Sequence, residues 1–190
     1  MDDNSVDILT PQGYLSEIMH RPNLDVVMNL FKIPRAFAVS GFGDWTIGQH
    51  AFCVAFLGLY WADHKKYNEI QRNQLVVMGL THDLHEAATG DILPALKNEA
   101  LRERLDAIQD TFLKSLQIEY DKSLTADLKL LDMAAFLFEI RQAAVLNQEQ
   151  RKRLGDFFAR QRSVMLEFAQ KNGFGEVESF LEKLDLTQLD

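Results

Sequence analysis

Cysteine is almost absent from this chain of 190 residues, and proline and glycine are scarce. The single cysteine, Cys53, excludes an internal disulfide, and its apolar neighbours favour a buried side chain over a nucleophile. Four prolines and ten glycines leave long uninterrupted stretches in which apolar residues recur every three or four positions. This spacing predicts helices, and the two-residue alternation of a half-buried strand is missing. We therefore predict an all-α helical bundle, with one domain over residues 1–190.

Long apolar runs and an excess of basic residues are also missing. No stretch reaches the roughly eighteen apolar residues of a membrane span, and the acidic N-terminal segment lacks the features of a secretory signal. With one cysteine, these absences predict a cytoplasmic protein without a membrane partner. The formal net charge of −8 argues against a nucleic-acid polymer as partner. It is still compatible with a small phosphate-bearing substrate, because a metal and a few cations can reverse the field inside one pocket.

The boundaries of the helices follow from apolar spacing and from the residues that start or stop helices. A first helix is predicted from Pro22, and a loop over 34–45 follows it. Thr46 is a favourable N-cap for the next helix, and Gly173 is a favourable stop signal. The predicted helices after the loop span residues 47–64, 68–88, 99–120, 123–146, 147–173 and about 176–184.

The stretch THDLHEAATGD, residues 81–91, concentrates groups that can bind metal or transfer protons. His82 and Asp83 are adjacent, and on a continuous helix Glu86 would share the face of His82. Asp91 follows a Thr-Gly turn, which can direct it back toward that face. The position of these groups at the end of an apolar run indicates a functional site.

Two further apolar helices each carry one isolated polar group, His50 and Asp132. Burying an aspartate among leucines is unfavourable unless it is paired or bound to a cation. Alone, Asp132 could pair with a core arginine, and His50 could be a hydrogen-bonded core histidine. Together with His82 and Asp83 they predict a mixed nitrogen and oxygen site for one divalent metal ion, which could be zinc, manganese, cobalt, iron or nickel.

The order His50, His82-Asp83, Asp132 resembles the signature of the HD-domain metal-dependent phosphohydrolases. More narrowly, HDLHEAATGDILPALK, residues 82–97, resembles the bacterial and phage HD nucleotidases that act on deoxynucleoside 5′-phosphates, the YfbR-like group. Arg35 matches that group's pocket arginine, fifteen residues before the first histidine. The resemblance covers about residues 30–145 and leaves the C-terminal segment unassigned.

The resemblance implies roles for the remaining residues. Glu86 and Asp91 would orient or deprotonate the attacking water, or protonate the leaving oxygen. Arg35 and Lys97 would bind phosphate, although a solvated lysine is an equal alternative for Lys97. The group's tryptophan after the arginine is replaced here by Ala36, and Trp45 is a candidate substitute for that pocket wall. His85 is expected behind the ligands or at the surface.

The function implied is hydrolysis of a nucleotide, with the 5′-phosphoester of deoxynucleoside monophosphates as the first expectation. The alternative within the same chemistry is a dNTP triphosphohydrolase that releases tripolyphosphate, since phage relatives act on dATP. A third alternative is a non-catalytic domain that binds a nucleotide or a protein. The zinc-protease pattern HExxH is not met, because His82 and His85 are three residues apart.

The apolar C-terminal helices suggest a homodimer or larger homo-oligomer, although the same side chains could serve the chain's own core.

Overall fold

The computed structural model describes residues 24–36 and 38–189, and it confirms the all-α prediction. Within these residues the only extended pairing is an isolated antiparallel bridge between Pro34 and Thr46. The predicted start of the first helix at Pro22 lies outside the described residues. The α-helices are α1 (Leu24–Met28), α2 (Ile47–Lys65), α3 (Glu69–Thr81), α4 (Glu86–Thr89), α5 (Glu99–Ser115), α6 (Thr125–Leu146), α7 (Arg151–Lys171) and α8 (Val177–Lys183).

Helices α2 and α3 form the scaffold on which the histidines are placed. Thr46 accepts a hydrogen bond from the backbone N–H of Gln49 and caps α2 as predicted, in a reciprocal capping box. The two helices approach closely where a glycine of one helix faces the backbone of the other. A Cβ atom on Gly79 would lie 2.6 Å from the Cα of Ala55, whereas one on Gly58 would lie at an ordinary 3.4 Å from Leu75. The small residues therefore allow α2 and α3 to bring their functional side chains together.

The single helix predicted over 68–88 is wrong, because α3 ends at Thr81 and α4 begins only at Glu86. Gln109, which belongs to α5, stabilises the break. Its amide donates to the carbonyl of Thr81 over 2.6 Å and accepts from the N–H of His85 over 2.9 Å. A side chain from another helix thus satisfies backbone groups that a continuous helix would pair internally.

The C-terminal helices complete the core of this chain. Their apolar side chains are buried with those of α2, α3 and α6. They include Leu154, Phe158, Met165, Val177, Phe180 and Leu181, each at most 4% exposed. The apolar stripes from which we predicted an oligomer contact are therefore occupied within the chain, and homo-oligomer formation stays a prediction. Among the described helices, none has the length and apolar character needed to cross a lipid bilayer.

Candidate metal centre

The loop before α2 carries Arg35 into the interior. The bridge between Pro34 and Thr46 closes this loop, and the N–H of Arg35 donates to the carbonyl of Trp45 over 2.7 Å. The next residue, Ala36, has a positive φ of 51°, which is unfavourable for a residue with a Cβ. Asp91 stabilises this conformation because its Oδ2 accepts a 2.9 Å hydrogen bond from the N–H of Ala36. Asp91 thus ties the loop that carries Arg35 to the segment after α4.

His50 and His82 face each other at the centre of the molecule, with ring centroids 5.3 Å apart. His50 is completely buried. Its Nδ1 lies 2.6 Å from Oε1 of Glu139, and Nδ1 of His82 lies 2.9 Å from the carbonyl oxygen of Gly79. A carboxylate and a carbonyl can only accept, so both Nδ1 atoms carry the proton and donate. In a neutral ring, each Nε2 then presents a lone pair to the space between the two histidines.

Two carboxylates lie against those Nε2 atoms. Oδ1 of Asp132 is 3.1 Å from Nε2 of His50, and Oδ2 of Asp83 is 3.1 Å from Nε2 of His82. Both Nε2 atoms are buried and make no well-aligned hydrogen bond. Lone pairs that face carboxylates at this distance need a cation, which is either a proton on each ring or a metal ion bound by all four groups.

The four predicted ligands are therefore brought together. The ligand atoms of His50, His82 and Asp83 lie within 4.8 Å of one another, and Asp132 joins them beside His50. A largely enclosed set of two imidazoles and two carboxylates, of which His50 is completely buried, fits a divalent transition metal. Asp132 is less enclosed than we expected from its apolar sequence neighbours, since its side chain is 21% exposed and also accepts from Lys129.

The pKa shifts follow the same geometry. Burial opposes protonation of His82, but the charge and hydrogen bonding of Asp83, together with the charge of Asp132 and the carbonyl of Gly79, outweigh it and raise the pKa of His82 to about 9. Burial would raise the pKa values of both aspartates. The histidines more than compensate, so the pKa of Asp83 is lowered and that of Asp132 lies well below its usual range. In the metal-free protein, a proton on the imidazole thus takes the place of a cation.

Arg35 lies beside the ligands. Its Nη1 is 3.9 Å from Asp83 and its Nη2 is 3.6 Å from Asp132. Its Nε donates to Oε2 of Glu139 over 3.2 Å. The side chain is only 14% exposed, and although burial opposes its charge, Glu139 and the aspartates raise its pKa. Arg35 is therefore a fixed cation whose terminal nitrogens face two of the predicted metal ligands.

Glu86 is the first residue of α4 and follows Asp83 by three residues. Its Oε2 is buried without a hydrogen-bond partner, and its Oε1 lies 3.7 Å from Nζ of Lys97. Burial and the charges of Asp83 and Asp91 raise the pKa of Glu86 to about 8, against the opposing effects of Lys97 and Arg35. Lys97 thus lies beside the carboxyl group of Glu86, for which we predicted a catalytic role.

His85 lies next to Glu86 and is not a surface residue. Its side chain is 12% exposed, and its Nε2 is 4.0 Å from Oε1 of Glu86. Burial lowers its pKa, so the ring stays neutral near pH 7. Of our two expectations for His85, the structure favours a position behind the ligands.

A cavity of about 520 Å³ opens beside Arg35, Asp91 and Asp132. Lys129 reaches it, and Gln161 contributes an amide. Most of its remaining lining is apolar, formed by Ala36, Val39, Leu93, Pro94, Met133, Phe136, Phe157 and Val164. Helix α7, which the family resemblance left unassigned and for which we suggested an oligomer contact, thus contributes to the wall of the cavity.

Trp45 is not part of this cavity. It lines a separate cavity with Gly41, Phe42 and Leu146 among others, and its ring packs edge-on against Phe138 at 6.1 Å. Phe136 and Phe157 are instead the aromatic residues that line the cavity beside Asp132. We therefore assign no substrate contact to Trp45.

Sequence reasoning missed two residues that hold the site in place. Glu139 is fully buried and follows Asp132 by seven residues, two helical turns along α6. A charge within AAFLFEIRQ is the same signal that identified Asp132, so Glu139 could have been found. Gln109 gives no such signal, because a glutamine on an amphipathic helix usually faces solvent.

Comparisons with known proteins found matches to a family model and to a solved structure. The family model described as HD domain matches residues 42–157. No curated protein matches. Among solved structures, the HD phosphohydrolase DatZ of cyanophage S-2L, bound to dA and one catalytic Zn²⁺ ion, superposes with a TM-score of 0.57. The two are 18% identical, and the match covers 78% of this chain and 95% of the phage chain.

Proposed function

The chain belongs to the HD domain family, and from this premise we propose that it is a metal-dependent nucleotide phosphohydrolase. The observation that carries the proposal is the pair of buried Nε2 atoms that lie 3.1 Å from the carboxylates of Asp132 and Asp83 and make no well-aligned hydrogen bond. This arrangement supports a metal held by His50, His82, Asp83 and Asp132. Such an ion, when bound, supplies an acidified water and polarises a phosphoryl oxygen.

Cations of the chain bind the phosphate in this proposal. Arg35 directs two guanidinium nitrogens toward Asp83 and Asp132, and a planar guanidinium can bind two phosphate oxygens at once. Lys97, on the far side of Glu86, adds a second positive charge. Because the pocket contains several carboxylates, these cations are needed to bring an anionic substrate to the site.

Glu86 is the proton donor to the leaving oxygen. Its raised pKa keeps it protonated near neutral pH, which is the state that a general acid requires. Asp91 supports it in two ways, since its charge raises the pKa of Glu86 and its hydrogen bond fixes Ala36.

The substrate we propose is a deoxynucleoside 5′-monophosphate. The 520 Å³ cavity falls in the usual size range of small-molecule sites, and Phe136 and Phe157 provide aromatic surface for a nucleobase. The phage HD phosphohydrolase is bound to dA, and this property of a structurally similar protein supports a nucleoside-containing substrate here. Lys129 at the cavity favours a second candidate, a dNTP cleaved at the same ester with release of tripolyphosphate, because a triphosphate needs an additional cation.

The test is turnover by metal-stripped protein to which Zn²⁺, Mn²⁺ or Co²⁺ is returned. The substrates are a panel of dNMPs, NMPs and dNTPs, and the products are separated into phosphate, pyrophosphate and tripolyphosphate. Metal-dependent phosphate from dNMPs is expected, whereas tripolyphosphate from dNTPs would establish the second candidate. Asp185→Asn, which changes an exposed partner of Arg141, is the control and retains activity. Bound metal without turnover of any nucleotide contradicts the proposal and favours a binding domain.

A further inference from the structure

Glu139 is the one fully buried carboxylate that contacts both the predicted metal site and the predicted phosphate-binding arginine among the residues described. Its side chain has no exposed surface. One oxygen lies 2.6 Å from Nδ1 of His50, and the other accepts from Nε of Arg35 over 3.2 Å. Both oxygens are thus used, one by each group. Burial of a carboxylate is unfavourable unless such partners compensate it.

The contact with His50 determines which nitrogen of that ring faces the ligands. Because the carboxylate accepts from Nδ1, the unprotonated nitrogen is Nε2, which points toward Asp132 and Asp83. A carboxylate behind a ligating histidine also increases the electron density on the ligating nitrogen. The ring of His50 is therefore oriented as a metal ligand before any ion arrives.

The contact with Arg35 determines the direction of the guanidinium. Glu139 uses Nε, which leaves Nη1 and Nη2 directed at Asp83 and Asp132. The ring of Phe136 supports the guanidinium carbon at 5.7 Å. The negative charge of Glu139 also reduces the repulsion between this arginine and a metal ion held nearby.

We propose that Glu139 is a positioning residue that orients the metal ligand His50 and the anion-binding Arg35 together. The inference rests on the proposed function only in assigning a metal and a phosphate to these two groups. It predicts that metal binding and anion binding weaken together when Glu139 is changed.

The test compares two buried carboxylates of helix α6. Glu139→Gln keeps the shape of the side chain but removes its charge and one of its two acceptor oxygens. Asp127→Asn is the matched control, because Asp127 is 3% exposed and accepts from Trp61 and Tyr67 away from the site. The readouts are Zn²⁺ affinity by chelator competition and binding of inorganic phosphate to the zinc-loaded protein, neither of which requires turnover.

Glu139→Gln is expected to weaken Zn²⁺ affinity about 10- to 100-fold, the usual effect of losing such a partner, and to weaken phosphate binding as well. Asp127→Asn is expected to lower thermal stability and to leave both affinities unchanged. Equal effects of the two variants on stability, with unchanged Zn²⁺ and phosphate affinity in each, would overturn the proposal and leave Glu139 a purely structural group.

A measurement on the unmodified chain covers the case in which Glu139→Gln does not fold. Nitrogen-15 NMR of the histidine side chains in the zinc-loaded protein reports which nitrogen of His50 carries the proton. A protonated Nδ1 is expected, and a protonated Nε2 would overturn the proposal. Because this readout and the Zn²⁺ affinity do not depend on hydrolysis, a protein that fails to cleave nucleotides can still support the role of Glu139.

Discussion

Glu86 is a carboxyl group that its surroundings keep protonated. We therefore expect its replacement by glutamine to lower the rate but to raise stability at high pH. Glu86→Gln removes the proton donor, so we expect kcat to fall by about 10² to 10⁴, the contribution of general acid catalysis, while the metal is retained. The folded-state pKa of Glu86 is raised from 4.5 to about 8. Stability linked to its neutral form is therefore present below pH 4.5 and lost as the pH rises through 8.

The glutamine variant stays neutral, so it should be more resistant to thermal unfolding than the original protein above pH 8. Thermal melts at pH 6 and pH 9, together with kcat at saturating substrate, check both expectations. A variant with full activity and bound metal would remove Glu86 from the mechanism.

Two neighbours of Glu86 carry opposite charges, which predicts opposite shifts of the pH profile. If protonated Glu86 is the active form, kcat falls as the pH rises through about 8. Asp91 raises the pKa of Glu86 and Lys97 lowers it. Asp91→Asn should therefore move this fall to lower pH, and Lys97→Met should move it to higher pH. Asparagine retains an acceptor for the N–H of Ala36, so the loop stays in place. A rate that instead rises through pH 8 would make Glu86 the base.

The close approach of helices α2 and α3 predicts a difference between two glycines. A methyl group on Gly79 would meet the backbone of Ala55 at 2.6 Å, whereas one on Gly58 has ordinary contacts at 3.4 Å. Gly79→Ala should lower the free energy of unfolding by about 1–3 kcal/mol through overpacking. It should also weaken metal binding, because the carbonyl of Gly79 orients His82. Gly58→Ala is the control and should leave metal binding unchanged.

Urea unfolding and metal titration of both variants measure this difference. If Gly79→Ala were as stable as the original protein, the helices would not be held at the distance we describe.

The helices that residue spacing predicts well are those whose start or end depends on nearby residues. The capped start of α2 at Thr46 is of this kind. The break between Thr81 and Glu86 is different, because the sequence there contains neither proline nor a helix-ending glycine. Its stability comes from Gln109, which is 24 residues after His85, and no local pattern reports such a contact. The residue types alone indicated the four side chains that the fold brings together, His50, His82, Asp83 and Asp132, and their role as metal ligands stays a prediction. The cavity wall was not predictable, since it depends on how α6 and α7 pack.

Metal binding should stabilise the molecule as a whole, because the four ligands join α2, the turn after α3, and α6. A ligand at a thousand times its Kd adds about 4 kcal/mol to the free energy of unfolding. We expect Zn²⁺ or Co²⁺ to raise the Tm of the original protein and of Asp185→Asn, but not of Asp132→Ala. The pKa of His82 is about 9 in the metal-free protein, so protons compete with the metal for this ring, and the increase in Tm should be larger at pH 8.5 than at pH 6.5. An increase of the same size at both pH values, or one retained in Asp132→Ala, would place the metal elsewhere.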